Sequence, residues 1–187
     1  MKLQFLRLCL IACLAFLLMP LPASCQVTVI LTRHAEKGAA PPKDPPLTEA
    51  GKKRAEALAS MLADSGVSAI YVTELQRTQQ TAAPLAARVH VKPIVLPAKD
   101  TAALINAVRA RTSGVVVIVG HSNTIPAIIT GLGGPILQIP ETEYDNLFVL
   151  AVDGSKSSLL RLHYGSSIPV PPTAGKMEPM MPSQPVK

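Results

Sequence analysis

Two histidines and two arginines stand at the ends of strand-like segments of this chain, where a polar segment begins. They are Arg33, His34, Arg77 and His121. A neutral imidazole is a nucleophile near neutral pH, and an arginine presents a planar fork of donors that matches phosphate oxygens in pairs. A phosphoryl group in transfer needs an in-line nucleophile and compensation of its charge. The four residues together therefore predict phosphoryl transfer through a phosphohistidine, with no metal and no cofactor.

The segments that precede these side chains have the composition of buried strands. Residues 27–31 and 69–72 are largely β-branched or apolar, and residues 115–119 are apolar on both faces, as is typical of a central parallel strand. Between the first two, Thr48 is placed to cap an amphipathic helix. A further helix from about residue 75 is expected to bend or end near Pro84. Because chemistry in such sheets gathers beyond the carboxyl ends of the strands, these polar residues are expected to meet.

The second half of the chain continues the alternation of strands and helices and closes with a hairpin. Its predicted elements are an edge strand over 91–96, a helix capped by Asp100, a helix from about Thr124, and strands over 146–152 and 158–164. The predicted fold class is α/β: a three-layer α/β/α sandwich with a mostly parallel sheet and a C-terminal hairpin.

The chain begins with the three-part pattern of a secretory signal peptide over residues 1–25. Lys2 and Arg7 come before an uninterrupted apolar run over 8–19, which is followed by prolines and small residues. The run has twelve residues, whereas a transmembrane helix needs about 20. We expect the signal to be cleaved, with no stable membrane insertion afterwards.

The cysteines all lie in or at the end of this segment, at Cys9, Cys13 and Cys25. Cleavage after Cys25 leaves a mature chain that begins at Gln26 without cysteine, and cleavage before it leaves a cysteine that can carry lipid. The prediction is an exported protein, secreted or periplasmic, with a lipid anchor on Cys25 as the alternative. Neither version allows an internal disulfide.

Composition excludes several classes of protein. The 187 residues are 48% hydrophobic, 16% charged and 3% aromatic, which excludes collagen, coiled coils and multi-span membrane proteins. So few aromatic rings argue against stacking on single-stranded nucleic acid. A single domain over 26–166 is expected, followed by a Pro-rich disordered tail over 167–187. The formal charge of +6 falls when Lys2 and Arg7 are removed, and the mild excess that remains favours small anionic ligands.

Four segments in this order resemble the histidine phosphatase (phosphoglycerate mutase-like) superfamily over roughly residues 27–164. They are Arg33-His34-Ala35-Glu36, Leu47-Thr48-Glu49-Ala50-Gly51, Arg77-Thr78 with Thr81, and Gly120-His121-Ser122. The resemblance implies that His34 is the nucleophile, and that Arg33, Arg77 and His121 hold the phosphate and stabilise the transition state. It also implies that water then releases inorganic phosphate.

Several residues near Arg33, His34, Arg77 and His121 have both a functional and a structural interpretation. Glu36, Thr73, Ser122 and Asn123 are predicted phosphate-pocket residues, although Glu36 suits the positioning of an arginine and Asn123 suits the cap of a helix. Family members often carry an acid either after the third strand or directly after the second histidine. In this chain the residue directly after His121 is Ser122. Asp100 is the remaining candidate general acid, and helix capping explains it equally. Without an acid, substrates with good leaving groups are favoured.

Three other functions compete with a phosphatase. A phosphoglycerate mutase-like phosphoryl transferase of this family is longer, with insertions that enclose the substrate. A zinc site would use His34, His121 and Glu36, but Arg33 and Arg77 would repel the ion. A catalytically inactive binder of phosphorylated ligands keeps the pocket without the chemistry. The expected partner is a phosphorylated small molecule or a phosphoprotein, and the oligomeric state and the substrate stay open.

Overall fold

The computed structural model describes residues 26–154 and 156–165. The predicted signal peptide over 1–25, with Cys25 at its end, and the predicted tail over 167–187 lie outside these residues. Within them, no helix is both long enough and apolar enough to cross a membrane.

Strands and helices alternate along the described chain, and the last two strands form a hairpin. In order they are β1 (Gln26–Arg33), α1 (Glu49–Leu62), β2 (Val67–Thr73), α2 (Gln76–Val89), β3 (Ile94–Leu96), α3 (Thr101–Arg109), β4 (Gly114–Gly120), α4 (Thr124–Gly131), β5 (Asn146–Asp153) and β6 (Lys156–His163). The sheet has the order β3-β2-β4-β1-β5-β6. The first four of these strands run parallel, whereas β5 is antiparallel to β1 and β6 to β5.

Two apolar cores lie on opposite faces of this sheet. One contains Leu104 and Val108 of α3 with Ile125 of α4, and the other contains Leu58 of α1 and Leu85 of α2. Successive residues of β4 contribute to alternate cores, because side chains of a strand point to opposite faces. The molecule is therefore the predicted three-layer α/β/α sandwich, with a mostly parallel sheet and a C-terminal hairpin.

The ends of the helices follow the predicted capping in two places and depart from the prediction in a third. Thr48 Oγ1 accepts from Gly51 N at 3.1 Å, and Asp100 Oδ1 accepts from Ala103 N at 3.0 Å. We expected α2 to bend or to end near Pro84. The expectation of an end is wrong, because α2 continues through Pro84 to Val89. A proline removes one hydrogen bond from a helix interior, and the burial of the helix face around it compensates.

The predicted edge strand is also found at the edge, but it is shorter than predicted. β3 pairs only with β2 and begins at Ile94. Pro93 has no amide hydrogen to donate, which explains why regular pairing starts after it.

The first turn of α1 is pressed against the loop that follows β1. Thr48 N donates to Glu36 O at 2.9 Å, and a Cβ built on Gly51 would lie 2.2 Å from the same carbonyl oxygen. Only glycine fits at this approach, so the Leu47–Gly51 motif is a device for holding the loop that carries Glu36.

Replacing Gly51 by alanine tests this close approach. Alanine normally favours a helix over glycine by about 1 kcal/mol, but here the clash with a backbone oxygen should reverse the sign. We expect Gly51→Ala to lower the free energy of unfolding by about 1–3 kcal/mol in urea titrations. Ser60→Ala on the exposed face of α1 is the control and should stay within about 0.5 kcal/mol of the parent; a stabilised Gly51→Ala variant would contradict the packing described.

Candidate active site

The strand order brings three of the polar segments to one edge of the sheet. β4 lies between β1 and β2, and Arg33 at the end of β1 is in register with Gly120 at the end of β4. One residue further along, His34 N donates to Gly120 O at 2.9 Å. His34 and His121 therefore leave neighbouring parallel strands at the same level.

The two imidazoles face each other at this edge. Their ring centroids are 5.4 Å apart and their planes meet at 62°. Both side chains are buried, with 3% of His34 and 8% of His121 exposed. The pKa of His34 is lowered to about 3, chiefly by burial and also by the charges of Arg33 and Arg77, while a hydrogen bond to Ala35 acts in the opposite direction. His34 and, as shown below, His121 are thus neutral at physiological pH.

The hydrogen bond to Ala35 also fixes the tautomer of His34. Its Nδ1 lies 2.8 Å from the carbonyl oxygen of Ala35. A carbonyl oxygen only accepts, so Nδ1 carries the hydrogen and Nε2 carries the free lone pair. The Ala35 amide in turn donates to Thr81 Oγ1 at 2.9 Å, which ties this turn of the chain to α2. The ring is held with a nucleophilic nitrogen available for phosphorus.

His121 is placed by threonines from two elements. Its Nε2 lies 3.2 Å from Thr73 Oγ1, whose neighbour Thr78 Oγ1 is 2.9 Å away. The backbone amide of His121 donates to Thr124 Oγ1 at 2.9 Å, at the start of α4. The pKa of His121 is lowered to about 4. Burial is the largest cause, the charge of Arg77 acts in the same direction, and the charge of Glu74 opposes both.

Arg33 is almost completely enclosed by a loop that precedes β5. Its Nη1 donates to the carbonyl oxygens of Glu141 at 2.6 Å and of Pro140 and Glu143 at 3.2 Å. Its Nη2 meets the Glu141 carboxylate at 2.5 Å, and the ring of Tyr144 lies 4.2 Å from the guanidinium carbon. Both terminal nitrogens are thus paired, as a buried charge requires.

Arg77 is held far more loosely than Arg33. Its nearest ion-pair partner is Asp44, with 3.9 Å between Nη1 and Oδ1. Among the described residues, the Nε atoms of both arginines are buried without an acceptor. Two buried donors without acceptors beside two neutral imidazoles make a site that is suited to an oxyanion.

Glu36 was predicted either to line the phosphate pocket or to position an arginine. The structure places its carboxylate against Arg54 of α1. Arg54 Nε lies 3.0 Å from both of its carboxylate oxygens, and Nη2 lies 2.7 Å from Oε1. Arg54 also donates to Tyr164 O at 2.8 Å. With both oxygens engaged in this way, Glu36 is not brought together with the two histidines as the zinc hypothesis requires. It acts on the position of the loop that follows His34.

The remaining predicted residues lie at different distances from the imidazoles. Thr73 touches His121, as described, and Ser122 donates to a carboxylate oxygen of Glu141. Asn123 is exposed and stands at the first position of α4 without a capping hydrogen bond from its side chain. Asp100 is exposed at the start of α3, and within the described residues no hydrogen bond or ion pair joins it to either histidine.

Three residues of the site were not identified from the sequence. Glu141 and Tyr144 lie in the stretch between α4 and β5, which has no periodicity, and Tyr144 has its ring centroid 6.0 Å from that of His34. Glu74 directly follows β2, and its charge acts on His121. Its position after a strand could have identified it, because that rule identified the other residues. No cluster of three or more metal-ligating side chains occurs in residues 26–154 and 156–165.

Comparison with known proteins indicates a family. A model of the histidine phosphatase superfamily (branch 1) matches residues 29–99, which include Arg33, His34 and Arg77. Over these residues the chain is similar to the histidine phosphatase superfamily. No curated protein matches it at a significant level.

Solved structures of this superfamily share the fold over nearly their whole length. The protein histidine phosphatase SixA in complex with tungstate is 17% identical, with a TM-score of 0.61 over 73% of this chain and 96% of that one. A SixA protein from Agrobacterium tumefaciens is 25% identical, with a TM-score of 0.55 over 72% and 97%. A phosphoserine phosphatase mutant from Entamoeba histolytica in complex with phosphoserine is 16% identical, with a TM-score of 0.55 over 71% and 94%.

The low pKa values of His34 and His121 should be visible in the pH dependence of the protein's stability. Folded-state pKa values of about 3 and about 4 lie below the unfolded value near 6.5, so the unfolded chain binds more protons between these limits. Stability is then fully present above pH 6.5 and is lost as the pH falls toward 4. We expect a loss on the order of 1 kcal/mol per pH unit for each histidine in urea titrations.

The control for this measurement is the double variant His34→Gln, His121→Gln, which lacks both titrating groups. Its free energy of unfolding should fall less steeply between pH 7 and pH 5 than that of the parent chain. Parallel curves for the two proteins would show that the imidazoles titrate normally.

Proposed function

We propose that this chain is a phosphatase that hydrolyses a phosphomonoester or a phosphoramidate through a phosphohistidine on His34. The observation that carries the proposal is the pair of buried, neutral imidazoles beside two arginine Nε atoms that have no acceptor among the described residues. Neutral His34 is a nucleophile without prior loss of a proton, and the arginines supply fixed positive charge for the oxygens of the phosphoryl group.

The reaction has two in-line displacements. First, a bond forms between His34 Nε2 and phosphorus while the bond from phosphorus to the leaving oxygen or nitrogen breaks. A water oxygen then bonds to phosphorus, the P–N bond breaks, one proton of the water passes to solvent, and inorganic phosphate leaves. Arg77 and His121 face the oxygens in both steps, and Arg33 holds positive charge behind them.

The supply of a proton to the leaving group favours particular substrates. The pKa of Glu141 is lowered by its hydrogen bond from Ser122 and by the charges of Arg33 and Lys37, so this carboxylate is ionised at neutral pH and cannot donate. Asp100 caps α3 and has no contact with the imidazoles among the described residues. Substrates whose leaving group departs without an enzymatic acid, such as phosphoramidates, are therefore favoured over unactivated phosphomonoesters.

The test is hydrolysis of an aryl phosphate in the presence of excess chelator. We expect turnover that the chelator does not affect, and a loss of about 10³-fold or more in kcat for His34→Ala, because the covalent route is then closed. Activity that disappears with the chelator would support the zinc hypothesis. Absence of turnover on any phosphorylated compound would support the inactive binder, and return of the phosphoryl group to a second position of the substrate would support the mutase.

Two further variants in the same assay separate the pocket from the general charge of the protein. Arg77→Ala removes the loosely paired guanidinium, and a loss of about 10²-fold or more in kcat/KM is expected. Lys53→Ala removes an equal charge from an exposed position of α1 and should retain the parent value within about twofold. Equal losses would contradict the placement of Arg77 against the phosphate.

Export through a signal peptide over 1–25 is part of the proposal. It is supported by the basic start, the twelve-residue apolar run and the small residues that follow. N-terminal sequencing and mass measurement of the protein released by a secreting host should give a chain that starts at Gln26. A lipid-modified start at Cys25 would indicate the anchored alternative, and an intact Met1 would contradict both.

A further inference from the structure

The side chains in and around this pocket carry negative as well as positive charges. Arg33 and Arg77 lie in the pocket, but the Glu141 carboxylate is 2.5 Å from Nη2 of Arg33, and Asp44 is 3.9 Å from Nη1 of Arg77. Glu74 is close enough for its charge to act on His121. A phosphate that enters therefore meets carboxylates on more than one side.

The carboxylates are fixed in these places by the backbone or by neighbouring side chains. Asp44 Oδ1 accepts from Gln76 N at 2.9 Å, at the start of α2. Glu74 Oε2 accepts from Ala98 N at 2.7 Å. These hydrogen bonds hold the carboxylates of Asp44 and Glu74 in fixed positions at the rim of the pocket.

Glu141 is the member of this set that bears most directly on the reaction. Its side chain is 76% exposed, yet one carboxylate oxygen contacts Arg33 and the other accepts from Ser122. Arg33 directly precedes His34 and Ser122 directly follows His121, and Glu141 is close enough to His34 and Lys37 to interact with both electrostatically. An exposed carboxylate is therefore held beside the two imidazoles, within reach of the part of a substrate that extends from the phosphorus toward solvent.

The charges around the site can be counted at neutral pH. Arg33, Arg77 and Lys37 are positive, whereas Asp44, Glu74 and Glu141 are negative, and the two histidines are neutral. The three positive and three negative charges balance. A pocket built only to attract anions would keep its arginines free of carboxylates, so the rim must serve a different part of the substrate.

We infer that this pocket selects phosphorylated compounds whose leaving group carries a positive charge, and that Glu141 is the main specificity-determining residue for that charge. The phosphoryl group contacts Arg77 and the buried Nε donors, while an ammonium, imidazolium or guanidinium on the leaving group lies against Glu141 and the neighbouring carboxylates. A leaving group with a carboxylate or a second phosphate is repelled by the same side chains. The inference rests on the proposed function for the identity of the reacting phosphoryl group.

The experiment uses phosphonates, because they cannot react and so report binding alone. Three compounds of equal length differ in the charge at the far end: 2-aminoethylphosphonate is positive there, 2-hydroxyethylphosphonate is neutral and phosphonoacetate is negative. We expect their dissociation constants, measured by calorimetry at pH 7.5, to increase in this order by about tenfold per step.

Glu141→Gln removes one charge and keeps the shape of the side chain. It should reduce the ratio between the aminoethyl and carboxylate compounds by about tenfold. The matched control is Glu143→Gln in the same loop, whose carboxylate instead pairs with Arg161 at 2.9 Å and which should leave the ratio unchanged. Equal affinities for the three compounds in the parent chain, or an unchanged ratio in Glu141→Gln, would overturn the inference.

Failure of this inference and failure of the proposed function give different results. Calorimetry reports charge selection whether or not the protein turns over a substrate. Aryl phosphate hydrolysis that depends on His34, combined with equal phosphonate affinities, would leave the phosphatase standing and remove the charge selection. Charge-ordered binding without any turnover would leave the selection standing and remove the phosphatase.

Discussion

One backbone hydrogen bond, from the amide of His34 to the carbonyl oxygen of Gly120 at 2.9 Å, sets the geometry on which the site depends. It continues the parallel register of β1 and β4 by one residue beyond the strands. The imidazoles of His34 and His121 are thereby fixed relative to the sheet. Gly120 is needed there, since a Cβ would lie 2.8 Å from Ile125 and 2.9 Å from Thr124, where α4 packs over the end of β4. The candidate site is thus positioned by the most buried part of the fold.

Burying the two imidazoles also buries the arginines beside them, and the surrounding residues must pair those charges. Removing them from water keeps them neutral, which suits a nucleophile, but the arginines beside them must then be supplied with acceptors. For Arg33 this is done by three carbonyl oxygens, one carboxylate and the ring of Tyr144. The segment between α4 and β5 therefore wraps around Arg33, because its carbonyl oxygens pair the buried guanidinium.

Sequence reasoning predicted the fold, and it placed Arg33, His34 and His121 at one edge of the sheet, because periodicity and strand ends are local properties. The apolar run over 115–119 predicted a central strand, and Thr48 predicted a helix start. The partners of those residues depend on contacts between distant segments, such as Arg54 with Glu36, and no pattern indicates them. Tertiary packing likewise overrode the expectation for Pro84, since the buried face of α2 continues past it. Glu141 was missed for the same reason, because its segment has neither period nor preceding strand.

The two arginines, equivalent in the sequence, have different physical roles in the folded chain. Arg33 has both terminal nitrogens engaged by the loop, so binding phosphate through them would require the Glu141 carboxylate to move or to share its donor. Arg77 has one ion-pair contact at 3.9 Å and can turn its fork toward an oxyanion without losing a strong partner. In the proposed reaction, binding energy for the phosphoryl group therefore comes mainly from Arg77. Arg33 then contributes a fixed positive field, and it fastens the loop that presents Glu141.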